Sequence, residues 1–321
     1  MKLATFEVET PVGARRRVGL VDDGELIDVN TAYAAALEAA GEADPVAIAN
    51  AHAPSEMVTF LERGERALAG ASEALEYARE SDEQRGPNGG RLRFEGDEDG
   101  VRLLAPVPRP NSLRDFMAFE EHVKNALGEE PPDVWYEMPV YYKSNPDSVI
   151  GPDTAVEWPA YSDLMDYELE LAAIIGKRGT DIPAEEASEY IAGYTIFNDF
   201  SARDIQGQEM QARLGPAKGK DFANALGPYL VTADAFDPET ATMRAEVNGE
   251  TWSAGTPGEM YHSFADIIEH VSQSETLHPG DVLGSGTVGE GCGLELGKFL
   301  NSGDTVRLRV EGIGTLENTV H

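Results

Sequence analysis

The chain has 321 residues, of which 41% are hydrophobic, and its 58 acidic and 25 basic residues give a formal net charge of −33. We expect no membrane-spanning segment, because no stretch approaches the roughly 20 consecutive apolar residues that a spanning helix needs. So negative a surface disfavours nucleic acid and anionic membranes as partners, and a single cysteine, Cys292, with no apolar leader at the start, predicts a cytoplasmic protein.

The first hundred residues predict a small α/β module. Alternating apolar and polar residues predict short strands at 3–8, 17–21 and 25–29. Helical periodicity follows, and the segments it covers are 32–40, 45–52, 55–62 and 66–79. The polar, Gly-rich segment 81–100 predicts a loop with one short strand near 91–94. Prolines within 104–110 exclude a helix there, so we predict an N-terminal module over 1–105 and a second domain over 106–321.

The second domain alternates short apolar strands with Gly and Pro. The predicted strands are 166–174, 194–198, 228–231, 243–247, 282–285 and 305–310, and the predicted helices are 113–127, 184–191 and 263–272. Many strands with few helices predict an α+β, mostly β fold rather than a doubly wound parallel sheet. No glycine fingerprint for a nucleotide occurs between a predicted strand and helix.

Acidic residues are spread along the whole chain rather than gathered in a tail. This distribution predicts a halophilic host, because at molar salt the Debye length falls to about 3 Å and repulsion between surface carboxylates is screened. The alternative is an ordinary acidic cytosolic protein. We expect the melting temperature to rise from low to molar KCl, and a flat or falling melting temperature would favour the alternative.

Acid and apolar residues alternate over 166–171. On a strand this spacing places Glu168 and Glu170 on one side, about 6.6 Å apart along the chain. Two such carboxylates repel each other unless a positive group lies between them, and hard cations such as Mg²⁺, Mn²⁺ and Ca²⁺ prefer oxygen ligands. The alternative is a solvated acidic strand face, common in so acidic a chain.

Two further segments carry polar residues beside apolar runs. Asp199 ends a predicted strand and could supply a third oxygen ligand, while the guanidinium of Arg203 suits a substrate carboxylate or, alternatively, an ion pair with a neighbouring acid. Asp115 and His122 are two helical turns apart and would share a face of the predicted helix 113–127. Alternatively, Asp115 is a first-turn dipole partner and His122 a surface histidine.

These residues make the chain resemble the fumarylacetoacetate hydrolase family over about two hundred residues. The matching pieces are Asp115 with His122, Pro139-Val140-Tyr141-Tyr142, Asp166-Tyr167-Glu168-Leu169-Glu170, the run from Asn198 to Gln206, Gly219-Lys220-Asp221-Phe222, Gly284-Ser285-Gly286-Thr287 and Leu294-Glu295-Leu296. The resemblance implies a β-roll catalytic domain, usually a homodimer, preceded by a variable extension that residues 1 to about 105 would represent.

The resemblance also implies the roles of individual residues. One Mg²⁺, with Mn²⁺ or Ca²⁺ as alternatives, would be held by Asp115, Glu168, Glu170 and Asp199. His122 would activate water with Glu295 as its partner, and Lys220 would assist catalysis. The residues implied to line the substrate site are Tyr142, Arg203, Gln206 and Thr287.

Three positions depart from the family pattern. Met117 stands where the hydrolase that names the family has a tyrosine, and Pro131 where it has a substrate-binding arginine on ungapped counting. Asn125 stands where the acylpyruvase branch has a glutamate, which points away from that branch. The family pattern therefore predicts the identity of the substrate less closely than it predicts the metal ligands.

We therefore expect a metal-dependent hydrolase that cleaves a C–C bond in a diketo acid of the fumarylacetoacetate or acylpyruvate type. The alternative is a lyase, that is a hydratase, dehydratase or isomerase, acting on a 2-oxo acid or 2-oxo-3-deoxy sugar acid. A third class is a non-enzymatic acidic protein, which would have no need of a tight divalent site.

Overall fold

The strands and helices are those of a computed structural model that describes residues 1–96 and 98–321; Asp97, within the predicted loop 81–100, lies outside the described residues. The strands are β1 (Lys2–Val8), β2 (Arg15–Asp22), β3 (Glu25–Asp28), β4 (Arg93–Glu95), β5 (Val101–Leu103), β6 (Leu113–Phe116), β7 (Tyr141–Ser144), β8 (Val149–Ile150), β9 (Met165–Asp166), β10 (Glu170–Ile175), β11 (Ile191–Asp199), β12 (Ser201–Ala202), β13 (Asn224–Thr232), β14 (Met243–Val247), β15 (Glu250–Gly255), β16 (Val282–Gly284), β17 (Thr305–Val310) and β18 (Gly314–Thr319).

Four of the helices follow one another in the N-terminal module, and the others lie singly or in pairs between strands of the second domain. The helices are α1 (Val29–Ala39), α2 (Pro45–His52), α3 (Met57–Glu62), α4 (Glu65–Glu80), α5 (Glu120–Leu127), α6 (Asp133–Glu137), α7 (Arg203–Gln211), α8 (Phe264–Ser272) and α9 (Gly293–Leu296). Short 3₁₀ helices cover Pro146–Ser148, Ala184–Tyr190, Ala233–Ala235 and Pro257–Glu259. Among the described residues, no helix is long and apolar enough to cross a membrane.

Most of the strands join one mixed sheet. Its order over the described residues is β4-β3-β2-β1-β13-β11-β10-β16-β6-β7, with β5 added beside β1 and β8 beside β13. Neighbours are antiparallel except for β16 with β6 and β13 with β8. A smaller sheet, β15-β14-β17-β18, and the pair β12-β9 complete the fold. The predicted α+β class is confirmed.

The N-terminal module packs its helices against the large sheet. Small residues recur along the buried side of α4, which lets this helix approach α1 closely; they are Ala67, Gly70, Ala71, Ala74 and Ala78. The resulting core also contains sheet residues from the second domain, among them Ala172 and Ile174 of β10. Since β1 also pairs with β13, the predicted modules 1–105 and 106–321 share one sheet, and their division stays a prediction.

Strand β10 is buried on both faces. Ala172 and Ile174 face the core shared with the N-terminal module, whereas Leu171, Ala173 and Ile175 face the core that holds the smaller sheet. A strand that is covered on both sides has a continuous apolar sequence, as β10 has after Glu170. Side-chain period two then directs Glu170, at the start of the strand, to the module side.

The predicted helix 113–127 is wrong in its first part. Residues Leu113–Phe116 form β6, which runs parallel to β16, and the helix begins only at Glu120. A short apolar run fits a buried strand or a helix equally well, and here pairing with a strand about 170 residues away decides between them. Asp115 and His122 consequently do not share a helical face.

The predicted strand 166–174 is divided. Met165–Asp166 pairs with Ser201–Ala202, and Glu170–Ile175 belongs to the large sheet. Between them Glu168 makes an isolated bridge with Cys292. The other predicted strands and helices are confirmed within a few residues, except that 184–190 is a 3₁₀ helix. Helix α7 was not predicted, because its polar residues follow no apolar period.

Candidate active site

Four buried acids meet at one end of the large sheet. Asp115 lies on β6, Glu170 begins β10, Asp199 ends β11, and Glu168 lies in the segment before β10. One carboxylate oxygen from each falls within 4.8 Å of those of the others. We call these residues the four-acid cluster. The predicted convergence of Glu168 and Glu170 thus holds, although Glu168 lies outside the strand.

Strand order and side-chain parity explain this convergence. The strands that carry three of the acids run in the order β11-β10-β16-β6, so only β16 separates Asp115 from Glu170. The strand between contributes Gly284 at this level, opposite Asp115. A Cβ at position 284 would lie 2.7 Å from Asp115 Oδ1 and 2.8 Å from the ring of Phe197. Glycine therefore keeps the space beside the carboxylates open.

Burial and mutual repulsion disfavour ionisation of two of these acids. Burial raises the pKa of Asp115 well above its ordinary range, and the charge of Asp199 raises it further. Burial likewise raises the pKa of Glu170, with added repulsion from Asp115 and Glu168. Such a group of acids is costly to bury without a compensating positive charge.

Two buried cations compensate for part of this charge. Lys220 Nζ lies 2.7 Å from Glu168 Oε2 and 2.5 Å from Asp199 Oδ2, and Arg203 Nη2 lies 2.7 Å from Glu168 Oε1. Burial alone would raise the pKa of Glu168, but the charges of Lys220 and Arg203 outweigh burial and hold it below its ordinary range. If all four acids are ionised, the cluster carries two more negative charges than Lys220 and Arg203 neutralise.

Three carboxylate oxygens of the cluster lack any partner in the described part of the chain. They are Asp115 Oδ1, Glu170 Oε1 and Asp199 Oδ1. Buried polar atoms are almost always hydrogen-bonded, so a group of unpaired oxygens points to a missing ligand. An all-oxygen donor set is what Mg²⁺, Mn²⁺ and Ca²⁺ prefer. A divalent cation would pair with these three oxygens and neutralise the negative charge of the cluster, so the four acids fit a site for such a cation.

A histidine–glutamate pair lies next to the cluster. His122 Nδ1, on α5, hydrogen-bonds to Glu295 Oε1, on α9, and both side chains are almost fully buried. The other oxygen of Glu295 accepts from Asn125 Nδ2 at 2.8 Å and from the backbone N–H of Glu290 at 2.7 Å. These contacts fix the carboxylate of Glu295, which in turn orients the imidazole. Since Glu295 binds Nδ1, Nε2 is the ring nitrogen that it does not contact.

The other residues predicted for the site contact the cluster or its neighbours. Tyr142 on β7 donates its hydroxyl to Asp199 Oδ2. Arg203 Nη1 donates to Gln206 Oε1 at 2.9 Å, one turn along α7. The hydroxyl of Thr287 accepts from the backbone N–H of Leu169 at 3.2 Å. The structure thus brings these side chains together, and their substrate-binding roles stay predictions.

Arg203 has the protein partners that its alternative interpretation requires. Each of its three guanidinium nitrogens donates to a protein acceptor: Nε to Asp166 Oδ2 at 2.7 Å, Nη1 to Gln206 and Nη2 to Glu168. The side chain is also buried. This arrangement favours a role in holding Glu168 over direct binding of a substrate carboxylate.

Asp166 is a site residue that sequence reasoning did not identify. Its side chain is fully buried and accepts from the backbone N–H groups of Gly293 at 2.7 Å and Leu294 at 3.0 Å, besides Arg203 Nε. Asp166 therefore links Arg203, which holds Glu168, to α9, which carries Glu295. Asp166 follows the same two-residue period as Glu168 and Glu170, so the alternation over 166–171 contained a signal for it, but no role was assigned to it.

Cys292 precedes α9 and lies beside Glu295. Its Sγ is 3.5 Å from Glu295 Oε1, and the side chain is fully buried. Burial raises the pKa of the thiol, so Cys292 is no activated nucleophile.

Sequence similarity to known proteins extends over the whole chain. Residues 112–321 match the family described as fumarylacetoacetate (FAA) hydrolase C-terminal. The oxaloacetate tautomerase YisK of Bacillus subtilis is 32% identical over 326 residues that cover 100% of both chains. A fumarylacetoacetate hydrolase from Exiguobacterium antarcticum superposes with a TM-score of 0.71 at 28% identity over 99% of each chain.

A second solved structure bears on the metal. Maleylpyruvate hydrolase from Sphingobium sp. SYK-6, determined in complex with manganese(II) and pyruvate, superposes with a TM-score of 0.69 at 25% identity. The match covers 100% of this chain and 98% of that one. Divalent metals are bound by enzymes with this catalytic domain, in keeping with the donor set described above.

Proposed function

The chain belongs to the fumarylacetoacetate hydrolase family, and on that premise we propose that it is a divalent-metal-dependent hydrolase that cleaves a C–C bond in a diketo acid. One observation carries the proposal. Three buried carboxylate oxygens of the four-acid cluster are unpaired, and Glu168 of that cluster bridges to Cys292, which contacts the Glu295 that orients His122. The proposed cation is Mg²⁺, with Mn²⁺ or Ca²⁺ as alternatives. The cytoplasmic location, the homodimer and the halophilic host stay predictions.

The cation would be held by the four-acid cluster, chiefly by Asp115, Glu170 and Asp199, whose oxygens are unpaired. When bound, it supplies a Lewis acid that polarises the carbonyl groups of a 2-oxo acid. Lys220 and Arg203 hold Glu168 in place from the other side. The hydroxyl of Tyr142 donates to Asp199 Oδ2 and thereby orients the Asp199 carboxylate.

His122 transfers the proton. Its Nε2 takes a proton from water as the water oxygen forms a bond to the carbonyl carbon, and Glu295 stabilises the imidazolium that results. The C–C bond then breaks, and its electron pair leaves as an enolate. The imidazolium returns the proton to the enolate carbon, which gives one carboxylic acid and one ketone.

Lys220 would stabilise the leaving group. Its ammonium has three N–H donors, and its recorded contacts with Glu168 and Asp199 use two of them. The charges of these acids outweigh burial and raise the pKa of Lys220, which keeps it protonated. The third N–H is available to an enolate oxygen, as in other preorganised anion sites.

Tautomerisation of a 2-oxo acid such as oxaloacetate is the second candidate. It is supported by the similarity to an oxaloacetate tautomerase over 100% of both chains, including the N-terminal module. The same histidine would then move a proton between C3 and the enol oxygen, with no attack by water. A dehydratase acting on a 2-oxo-3-deoxy sugar acid would also begin by removing a proton from C3, and that proton would then leave with a hydroxyl group of the substrate as water.

A substrate panel with product analysis tests these functions. Diketo acids, oxaloacetate and 2-oxo-3-deoxy acids are incubated with Mg²⁺ in H₂¹⁸O and, separately, in D₂O. Hydrolysis gives two products, one with ¹⁸O in its new carboxylate, whereas tautomerisation gives deuterium exchange at C3 without cleavage. Turnover that is unaffected by chelation, or unchanged in His122→Ala, would contradict both proposals.

A further inference from the structure

A second group of metal-binding side chains lies beside the four-acid cluster. His122, Cys292 and Glu295 each offer a ligand atom within 4.8 Å of those of the other two. The thiol and the carboxylate already meet, with Sγ 3.5 Å from Glu295 Oε1. We call these three residues the mixed-ligand cluster, because it combines nitrogen, sulfur and oxygen.

The backbone around the mixed-ligand cluster is fixed. Cys292 directly precedes α9 and Glu295 is its third residue, so one helical turn carries two of the three side chains. Asp166 holds the start of that turn through the backbone N–H groups of Gly293 and Leu294. A Cβ at Gly293 would meet Lys298 O at 1.9 Å, so the turn packs tightly against the following chain.

The two clusters differ in the metals that they suit. The four-acid cluster offers only oxygen, which suits hard cations such as Mg²⁺. A thiolate, an imidazole and a carboxylate suit Zn²⁺ or Co²⁺, and three protein ligands with one open position are typical of zinc sites that still exchange a ligand. Bonds of about 2.0–2.3 Å from one Zn²⁺ place ligand atoms roughly 3.3–3.8 Å apart, and the sulfur–oxygen separation of 3.5 Å already meets that distance.

We propose that the mixed-ligand cluster is a second, inhibitory metal site for Zn²⁺ or another thiophilic divalent cation. On binding, Zn²⁺ forms a bond to Cys292 Sγ, and the thiol proton leaves to solvent. The thiolate and the carboxylate then balance the two charges of the ion, which lowers the cost of burying it. The metal takes the position of the hydrogen bond between His122 and Glu295, so the histidine can no longer exchange a proton.

Cobalt spectroscopy tests the binding site directly. Co²⁺ is added to the full-length protein with Mg²⁺ in large excess, so that the four-acid cluster is occupied by the hard ion. Cys292 is the only cysteine of the chain, so any thiolate-to-cobalt charge-transfer band arises from it. We expect a band that saturates at one Co²⁺ per chain, that Zn²⁺ abolishes, and that is missing in Cys292→Ser and Cys292→Ala.

The controls separate this proposal from the proposed function on which its inhibitory consequence rests. Asp115→Asn, which removes an oxygen from the four-acid cluster, should keep the band. Each variant is first shown to be folded by its melting curve, and if the serine variant does not fold, the alanine variant decides. The spectrum needs no substrate, so it is informative even if the substrate panel shows no turnover.

Two results would overturn the proposal. The first is the absence of a charge-transfer band in the wild type. The second is equal Zn²⁺ affinity, with Mg²⁺ in excess, in the wild type and a folded Cys292 variant. Where the panel yields a substrate, we also expect Zn²⁺ to inhibit the wild type at concentrations about tenfold or more below those that inhibit Cys292→Ser, in line with the loss of one ligand contact.

Discussion

Two regions of the molecule bury aspartate to the same degree and use it differently. In the N-terminal module, Asp28 is the N-cap that precedes α1 and is 2% exposed, while Asp115 in the four-acid cluster is 4% exposed. Asp28 Oδ1 accepts from the backbone N–H of Thr31 at 3.1 Å, and its Oδ2 lies 3.3 Å from Arg17 Nε. Asp115 Oδ1 has no partner in the described chain.

The difference teaches how to separate structural acids from ligand-binding acids. A carboxylate that stabilises the fold finds its partners within the chain, as a helix N-cap does. A carboxylate that binds a ligand keeps an oxygen unpaired, at a cost in folding free energy that the ligand later offsets. Exposure alone does not distinguish Asp28 from Asp115, whereas their hydrogen-bond partners do.

The largest effect should come from His122→Ala, which removes the proton-transfer group but no member of the four-acid cluster. We expect kcat to fall by about 10²–10⁴-fold, the usual contribution of general acid–base catalysis. Mn²⁺ affinity, measured by titration calorimetry, should stay within about threefold of the wild type, because His122 is not among the four acids. A variant that keeps more than a tenth of the wild-type kcat would show that the histidine is not the base.

Asp115→Asn should separate affinity from stability. We expect Mn²⁺ affinity to fall by about 100-fold or more. The melting temperature in chelator should stay the same or rise, because the neutral amide replaces a buried carboxyl group whose ionisation Asp199 and Glu168 oppose. The wild type should gain melting temperature on adding Mn²⁺, and the variant should gain far less. A large loss of stability in chelator would place Asp115 with the structural acids, and the comparison with Asp28 would fail.

Asp166→Asn tests whether the two halves of the site are linked. The amide keeps one acceptor oxygen but presents N–H donors where Gly293, Leu294 or Arg203 also donate. We expect both Mn²⁺ affinity and kcat to fall by about 10–100-fold, the range for groups that orient metal ligands. A loss of stability alone, with affinity and kcat unchanged, would make Asp166 a structural acid like Asp28.

Much of the fold and of the site follows from the sequence, and what does not follow depends on distant contacts. The N-terminal strands and helices were predicted because their periodicity is local. The helix predicted over 113–127 failed at β6, where hydrogen bonds to β16 select a strand. The four acids were predicted as ligands from a family motif, and the structure brings their oxygens together. The partners of Arg203 were left open, since Asp166 and Glu168 compete with a substrate that the sequence does not specify.

Asp28→Asn should have the smallest effect and is the matched control for Asp166→Asn. Burial raises the pKa of Asp28 above its ordinary value of 3.8 despite the charge of Arg17, so the negative charge of Asp28 does not stabilise the fold and asparagine loses little by lacking it. Asparagine also keeps an N-cap oxygen for Thr31. We therefore expect the free energy of unfolding in urea to change by less than about 1 kcal/mol at neutral pH.

The pH dependence of this small difference has a definite sign. Because the folded-state pKa of Asp28 is raised, its contribution to stability is complete below 3.8 and is lost as the pH rises through the folded-state value. Asp28→Asn has no such group, so the wild type should lose stability relative to the variant over that interval, while Mn²⁺ affinity and kcat stay unchanged. A fall in Mn²⁺ affinity would show that even an acid whose partners lie within the chain affects the distant four-acid cluster. Unpaired oxygens would then no longer suffice to tell the two kinds of buried acid apart.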